Sequence, residues 1–509
     1  MSQPHPLAEQ LQAQNFRRLH ASSWLFILLD LTFTILLPFL LGYYNLVRGL
    51  PTIWKVAIAG IFFLIFLYLF AHFYSTQFMI RSDDIILKRG ILYRKQRYIP
   101  LNKVHNITLK RNLLHRWLNV AEVRLETAGT GNTAEAELRV LSYLEAKTFE
   151  NLIEKPTPET NAPTTANLLP LSRRELLYFG LLRNDGFVLM GIILSFALNS
   201  DNFTQWLTSK LPSIPLFLQI FQQHWLGAFF LFICAAFILG KLLTILFAFL
   251  NYSQFELTDS PTHITLRRGL LTRIESHVPR EKIQVWRITQ PPLYRLCNRY
   301  RLYIDTAVFP NNNERGIREL IPLANDEITC QLIKRWNNIE ALSIPVHAQH
   351  PKAPHRLTIK YLLIQSQLMI GAVILYFLNL IDNQQLLDLA ILWLILQIIN
   401  PIAAKKRYAI AGWAIDNKHY LHWRDGWLWR KHHFAHCQHL HCVDKQQNPF
   451  DRRYPMATLL ADTMGSNRLS SPLKMRYLKN ESADNLLTAL KNYSSIKAVE
   501  KLTINPDKS

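Results

Sequence analysis

The sequence predicts an α+β membrane protein with six transmembrane helices in three hairpins, each hairpin followed by a basic, β-rich domain. Three observations predict this architecture. Long apolar segments occur in three pairs, the segments between the pairs are dense in Lys and Arg, and a set of residues recurs at equal offsets three times. The 509 residues carry a formal net charge of +21 and are 49% hydrophobic, which suits a membrane protein with large water-exposed parts.

A helix needs roughly 20 apolar residues to cross a bilayer, and the first, second, fourth and fifth of the six apolar segments meet this length. The six segments are Trp24–Leu41, Val56–Phe73, Phe187–Asn199, Trp225–Leu250, Leu363–Leu380 and Leu386–Ile402. The third and sixth are marginal in length, and repeat symmetry is the main reason for including them. The first lacks a small-residue cleavage site, so we interpret it as a retained span and not as a signal peptide.

The distribution of charge predicts the orientation. The turns within the pairs carry little positive charge, and the turn Asp382–Asp388 is acidic, whereas the segments outside the pairs carry basic clusters such as Arg173-Arg174 and Lys405-Lys406-Arg407. The positive-inside bias therefore predicts that both termini and all three soluble domains lie in the cytoplasm. The odd number of cysteines, five, agrees with a reducing compartment.

The soluble regions repeat around Gly90, Gly269 and Gly426. Four residues past each glycine stands a basic residue, namely Arg94, Arg273 and Arg430. Twenty-six past each stands an arginine, namely Arg116, Arg295 and Arg452. Such identities at equal offsets indicate an internal repeat. We expect each glycine to turn a β-hairpin, since a tight turn with positive φ suits glycine, and each arginine to make a structural ion pair or backbone contact.

Strand and helix patterns follow one another within each repeat. Val123–Thr127 and Leu302–Thr306 alternate with a period of two, which predicts strands. Helical spacing then closes the second and third repeats, with apolar faces at Ile328, Leu332, Ile333 and Trp336, and at Leu486, Leu487, Leu490 and Tyr493. Each repeat is therefore expected to form a small sheet or barrel capped by a C-terminal helix.

Linkers rich in Pro and Thr mark the domain boundaries. The predicted division is a cytoplasmic lead-in (1–23), hairpin 1 (24–75), soluble domain 1 (76–155), a linker (156–178), hairpin 2 (179–252), soluble domain 2 (253–342), a linker (343–358), hairpin 3 (359–404), soluble domain 3 (405–495) and a tail (496–509).

The hairpin Lys88–Leu92, followed by Ile99–Val104, resembles the bacterial pleckstrin-homology-like (PH-like) domain, and Val278–Ile283 matches the same element in the second repeat. The third repeat departs from this pattern, because His436 stands where the first two repeats have Pro100 and Pro279. The whole chain is similar to the YdbT-like family of multi-pass membrane proteins. The resemblance implies three PH-like domains, each a helix-capped barrel of seven strands, and implies little about chemistry.

Basic residues beside the hairpin glycines are the candidate ligands for phospholipid head groups or an acidic partner. They are Lys88, Arg89, Arg94, Lys95, Arg97, Arg267, Arg268, Arg273, Arg424, Arg430 and Lys431. The alternative is a solvated face that merely obeys the positive-inside rule. A PH-like fold alone does not transfer phosphoinositide binding to this chain.

One His- and Cys-rich segment resembles a metal site. On a strand, Cys437, His439 and His441 would share one face, and such ligands suit zinc or copper. Their spacing matches no standard zinc pattern, so we predict that the chain binds no metal and no cofactor. These three residues are the candidate ligands for the alternative, in which a metal is bound. Within the spans, Asp30 and Lys241 are candidates for a buried structural pair or for a transport element.

The function predicted is a non-enzymatic scaffold of the bacterial inner membrane whose cytoplasmic domains bind protein partners, each other or the anionic inner leaflet. The family resemblance implies in addition a role in envelope-stress protection. The alternative is a component of a transport or export complex. A membrane enzyme would need an acid/base or metal cluster. The expected partners are the lipid bilayer and a protein such as a smaller membrane protein with one PH-like domain, and no nucleic acid.

Overall fold

A computed structural model describes residues 16–31, 51–81, 84–91, 93–101, 104–127, 136–153, 166–167, 171–198, 225–260, 262–306, 319–337, 346–378, 380–463 and 473–490. The chain divides into two compact units, unit 1 (Met1–Glu281) and unit 2 (Lys282–Ser509). The fold is mixed α/β, and all strand pairs of the described part are antiparallel.

Unit 1 contains two sheets. Its strands are β1 (Arg17–Arg18), β2 (Gln77–Ile80), β3 (Asp84–Arg89), β4 (Lys95–Pro100), β5 (Val104–Arg111), β6 (Val120–Thr127), β7 (Ala136–Ser142), β8 (Ala166–Asn167), β9 (Glu256–Asp259), β10 (His263–Arg268) and β11 (Arg273–Pro279). The sheet orders are β1-β2-β3-β4 and β7-β6-β5-β11-β10-β9-β8. Its helices are Ser23–Leu31, Thr52–Ser75, Leu113–Trp117, Tyr143–Ile153, Arg173–Leu182, Asp185–Leu198 and Trp225–Tyr252.

Unit 2 continues the pattern. Its strands are β12 (Ile283–Gln290), β13 (Arg299–Thr306), β14 (Glu319–Asn325), β15 (His347–Ala348), β16 (Gly412–Ile415), β17 (Tyr420–Asp425), β18 (Arg430–His436), β19 (Leu440–Gln446), β20 (Met456–Thr463) and β21 (Leu473–Lys479). The sheet orders are β14-β13-β12-β18-β17-β16-β15 and β19-β20-β21. Its helices are Pro292–Leu296, Asp326–Asn337, Ala353–Phe377, Asn383–Ile410, Pro449–Arg453 and 480–490, and 3₁₀ turns occupy Arg280–Lys282 and Cys437–His439.

The two seven-stranded sheets each join strands from successive repeats. In unit 1, β5 of the first repeat pairs with β11 of the second, and in unit 2, β12 of the second repeat pairs with β18 of the third. The strands of one repeat are thus divided between two sheets. Successive repeats are coupled through backbone hydrogen bonds, not only through the chain connection.

The strands of the first repeat nevertheless enclose one hydrophobic core, although they belong to two sheets. Phe78 and Ile85 from the first sheet share it with Leu125 and Leu138 from the second, and Ala146 adds the following helix. The predicted helices at the ends of the repeats are present as Tyr143–Ile153, Asp326–Asn337 and 480–490. Leu332, Ile333, Leu486 and Leu490 are buried as their spacing predicts, whereas Tyr493 lies outside the described residues.

Four helices of the described part are long and apolar enough to cross a membrane. They are Thr52–Ala71, Cys234–Tyr252, Ala353–Phe377 and Asn383–Ile410, which correspond to the second, fourth, fifth and sixth predicted segments. The first segment is helical over Ser23–Leu31, and its remainder lies outside the described residues. Most of the third forms the 14-residue helix Asp185–Leu198.

The helices Ala353–Phe377 and Asn383–Ile410 are joined by a cluster of amide side chains. Asn400, which is buried, donates from Nδ2 to Oε1 of Gln365 over 2.7 Å, and Gln397 donates from Nε2 to the same oxygen over 3.0 Å. Side-chain amides that bond across helices hold membrane helices together, because lipid offers them no alternative partner.

We expect the Asn400→Leu variant to lose about 0.6–1.7 kcal/mol of stability, because it removes interhelical hydrogen bonds from a lipid-facing helix pair. Thermal unfolding of the full chain in detergent measures this as a lowered Tm. The Gln384→Leu variant, at an exposed position near the start of the same helix, serves as the control. An unchanged Tm for the Asn400 variant would contradict a role in packing.

Candidate functional site

The repeated glycines form the expected hairpin turns. Gly90, Gly269 and Gly426 have φ of +113°, +105° and +100°, values that residues with a Cβ rarely adopt. A Cβ on any of them would overlap the carbonyl oxygen of the residue three positions later, which is Tyr93, Thr272 and Trp429, respectively. The prediction of a glycine-dependent hairpin in each repeat is confirmed.

The turn of the second repeat lies against the end of a candidate span. The backbone N–H of Gly269 donates to Ser253 O over 2.8 Å, and that of Leu270 donates to Leu250 O over 2.9 Å. These acceptors are at the end of the helix Trp225–Tyr252, where carbonyl groups lack partners within the helix. The hairpin therefore lies at the C-terminal end of that candidate span.

The turn of the third repeat is anchored in a different way to its own candidate span, Asn383–Ile410. The Arg407 side chain donates to both oxygens of Asp425, from Nε over 2.7 Å and from an Nη over 2.5 Å, and Arg424 Nε donates to Ile410 O over 2.6 Å. A bidentate pair of this kind fixes orientation as well as distance. The residue type changes between repeats, but the turn is held at the end of a candidate span in both.

Two of the three candidate basic residues of the second repeat make contacts within the fold. Arg267 Nε donates to Glu275 over 2.6 Å, and the buried Arg268 lies 4.7 Å from the centre of the Tyr252 ring. Although burial raises the pKa of Glu275, its contacts with His277, Lys147 and Arg267 outweigh that and lower it to about 2. Only Arg273 of this group is fully exposed.

In the first repeat, Lys88 lies 3.6 Å from the centre of the Phe16 ring, and Arg89 is half-buried, whereas Arg94, Lys95 and Arg97 are exposed. In the third repeat, Arg424 and Arg430 are half-buried and Lys431 is exposed. The candidate residues therefore flank equivalent turns in each repeat. They divide into internal contacts and exposed charges and do not line one site.

A cavity of about 310 Å³ in unit 2 collects basic side chains that are not among the candidate residues beside the hairpin glycines. It lies between the start of the helix Ala353–Phe377, the helix Pro449–Arg453 and strand β21. Its basic lining residues are Arg356, Lys360, Lys474 and Arg476, and its acidic lining residue is Asp451. We call this the cationic pocket. Leu363 and Ile364 continue its lining into the apolar part of the helix.

Arg356 and Asp451 form the fixed wall of the cationic pocket. Arg356 Nε donates to Asp451 Oδ1 over 3.0 Å, both residues are buried, and the guanidinium lies 4.8 Å from the centre of the Phe450 ring. Since this pair neutralises itself, the charges of Lys360, Lys474 and Arg476 remain in excess. Three cations beside an apolar wall suit an anionic group that carries an alkyl chain.

The sequence did contain a signal for this pocket. Arg356 and Lys360 are four residues apart, which places them on one helix face, and Lys474 and Arg476 alternate on a strand, which places them on one sheet face. The predicted domain division places Arg356 in the linker 343–358 and Lys360 in hairpin 3, and neither residue was a candidate for binding. Nothing local shows that a helix and a strand more than 100 residues apart meet.

The geometry expected for the metal candidates is wrong. Cys437–His439 is a 3₁₀ turn, so Cys437, His439 and His441 do not share one face of a strand. Cys437 is buried in the core, and burial raises the pKa of its thiol to about 11, which disfavours the thiolate that a metal would bind. No group of three metal-binding side chains occurs among the described residues.

The Lys241 side chain bonds to the connection between the helices Arg173–Leu182 and Asp185–Leu198. Its ammonium donates to Leu181 O over 2.7 Å, to Arg183 O over 2.8 Å and to Asn184 Oδ1 over 2.7 Å. These three bonds use all three N–H groups of a lysine. They indicate a structural role at the end of the helix Arg173–Leu182. The side chain of Asp30, its suggested partner, lies outside the described residues.

The first repeated arginine makes the expected backbone contact. Arg116 donates from an Nη to Leu270 O over 2.8 Å, so it ties the first repeat to the hairpin of the second. In the second repeat, Asp305 pairs with Arg287 on the neighbouring strand.

Comparison with known proteins agrees with this architecture. The family model for the bacterial PH domain matches three times, over residues 32–157, 211–334 and 358–494, and so includes the divergent third repeat. The chain is 23% identical over 234 residues to the UPF0699 transmembrane protein YdbT of Bacillus subtilis, a match that covers 42% of this chain and 46% of that protein. No solved structure matches the chain. With three matches over most of its length and four apolar helices, the chain belongs to the bacterial PH domain family and is a membrane protein.

Proposed function

We propose that the protein is a non-enzymatic scaffold of the bacterial inner membrane whose cationic pocket binds the anionic head group of an inner-leaflet phospholipid. The position of the pocket supports this most directly. Its basic side chains surround the start of the helix Ala353–Phe377, and its lining continues onto Leu363 and Ile364 of that helix. A phosphate would meet the cations while the acyl chains follow the apolar wall.

The proposed topology has six spans in three hairpins, with each set of PH-like strands forming a helix-capped barrel in the cytoplasm. The basic character of the segments outside the pairs supports this orientation. The soluble domains would then face an anionic leaflet, and each basic residue near its surface contributes about 1 kcal/mol to attraction. Several joined domains would add weak contacts together.

A protective role against envelope stress and a smaller membrane partner with one PH-like domain remain part of this proposal. The transport alternative has less support. The amides of Gln365, Gln397 and Asn400 in the third hairpin bond to one another, which is the behaviour of a packing contact and not of a substrate path.

Binding of a short-chain phosphatidylglycerol to the full chain in detergent tests the head-group proposal. We expect tighter binding of phosphatidylglycerol than of phosphatidylcholine, because only the former has net negative charge. The double variant Lys474→Ala/Arg476→Ala is expected to weaken binding about 30-fold, since two contacts of about 1 kcal/mol each are lost.

The matched control is the double variant Lys334→Ala/Arg335→Ala, which removes the same two charges from an exposed part of the helix Asp326–Asn337. It should bind the lipid as the unaltered chain does. Equal affinity for the two lipids, or equal losses in the two double variants, would overturn the proposal.

A further inference from the structure

Both junctions between repeats use the same strand register. At the first, Arg273 of β11 lies opposite Arg111 of β5, and His277 lies opposite Ile107. At the second, Arg430 of β18 lies opposite Gln290 of β12, and Phe434 lies opposite Trp286. Counted from the hairpin glycine of each repeat, the residues at offsets 4 and 8 face those at offsets 21 and 17 of the preceding repeat in both cases. The repeats thus join by one reproducible contact.

In the first and the last repeat, the strands equivalent to those at the junctions are edge strands of their sheets. Among the described residues, β4, the equivalent of β11 and β18, is the last strand of its sheet, and β19, the equivalent of β5 and β12, is the first of its own. Tyr98 of β4 is 57% exposed, whereas its counterparts His277 and Phe434 are 7% and 0% exposed. The edge strand β4 therefore leaves exposed a position that is buried at both internal junctions.

We propose that β4 of one chain pairs with β19 of a second copy of this chain, antiparallel and in the register of the two internal junctions. That register places Arg97 opposite Asp444 and Tyr98 opposite Val443. The chains would join head to tail, and the contact would continue the series of junctions already present within each chain.

Charge favours this pairing over pairing of two identical ends. Lys95 and Arg97 are both exposed on β4, so antiparallel pairing of β4 with β4 would bring like charges together. In the proposed register, the carboxylate of Asp444, which is exposed on β19, faces Arg97, and Lys95 faces the neutral Gln446. A contact between two different surfaces either closes into a ring or extends as an open chain.

Disulfide trapping in membranes tests the proposal with the full chain. Two differently tagged chains are co-expressed, one with Tyr98→Cys and the other with Val443→Cys, both with Cys442→Ser to remove the neighbouring thiol. We expect a disulfide-linked species that carries both tags. The matched control replaces Val443→Cys with Gln446→Cys, three residues out of register, beyond the roughly 7 Å between Cα atoms that a disulfide can span.

A charge exchange provides a second measurement. Arg97→Glu should lower the trapped yield about two- to five-fold, and Asp444→Arg on the other chain should restore it. The proposal is overturned if the two tags never join, if the out-of-register control traps equally well, or if the thiols trap a different protein. It is also overturned if a chain with both cysteines links only to itself.

Discussion

Acidification from pH 7 to pH 5 is expected to lower the free energy of unfolding of unit 2 by about 4 kcal/mol or more, because of buried histidines on β17 and β18. The rings of His422 on β17 and His432 on β18 stack as diagonal neighbours with their centres 5.7 Å apart, and His433 follows on β18. Burial, followed by the positive charge of Arg424, lowers the pKa of His422 to about 3. Burial and nearby positive charge likewise lower that of His432 to about 3.

The direction of the effect follows from proton binding. Since these pKa values are lower in the folded state than the ordinary 6.5, the unfolded chain binds more protons than the folded chain between pH 6.5 and about 3. Stability is therefore complete above pH 6.5 and decreases as the pH falls. At pH 5, His422 and His432 each cost about 2 kcal/mol, and His433, whose pKa burial also lowers, acts in the same direction.

Denaturant unfolding of the full chain, followed by tryptophan fluorescence at pH 7 and pH 5, measures this loss. His432→Leu should reduce the difference between the two pH values by about 2 kcal/mol, because it removes one of the titrating groups. His441→Gln, at an exposed position on β19, is the control and should leave the difference unchanged. Equal stability at the two pH values would refute the account.

The Gly426→Ala variant is expected to lose about 3 kcal/mol or more of stability. The turn has φ of +100°, and the added Cβ would overlap the carbonyl oxygen of Trp429, so the β17–β18 hairpin must open to accept it. Opening would also disturb the Arg407–Asp425 pair that holds the hairpin to its membrane helix. We expect a lower Tm and less accumulated protein.

Gly371→Ala is the matched control within the same unit. Gly371 lies in the helix Ala353–Phe377, where an added Cβ meets no atom within 4 Å. Alanine also favours the helix over glycine by about 1 kcal/mol, so this variant should be as stable as the unaltered chain or slightly more stable. Equal Tm values for the two variants would show that the positive φ carries no constraint.

Local features of the sequence determined much of this fold. The hairpin turns followed from three glycines at equivalent positions, because only glycine tolerates that backbone conformation cheaply. The apolar runs identified the four long helices, and the buried positions Leu332 and Leu486 followed from helical spacing. In each case the signal lies within a few residues, because the spacing of apolar residues or the backbone freedom of a single glycine decides the local structure.

The tertiary structure alone decided which of these local elements meet. Strand periodicity shows that one face of β5 is buried, but not that its edge pairs with β11, where Leu109 lies opposite Glu275 far along the chain. The cationic pocket likewise combines Lys360 from a helix with Lys474 from a strand. A local sequence pattern indicates whether a side chain is buried or charged. It does not indicate which distant segment that side chain contacts, because such contacts depend on the packing of the whole chain.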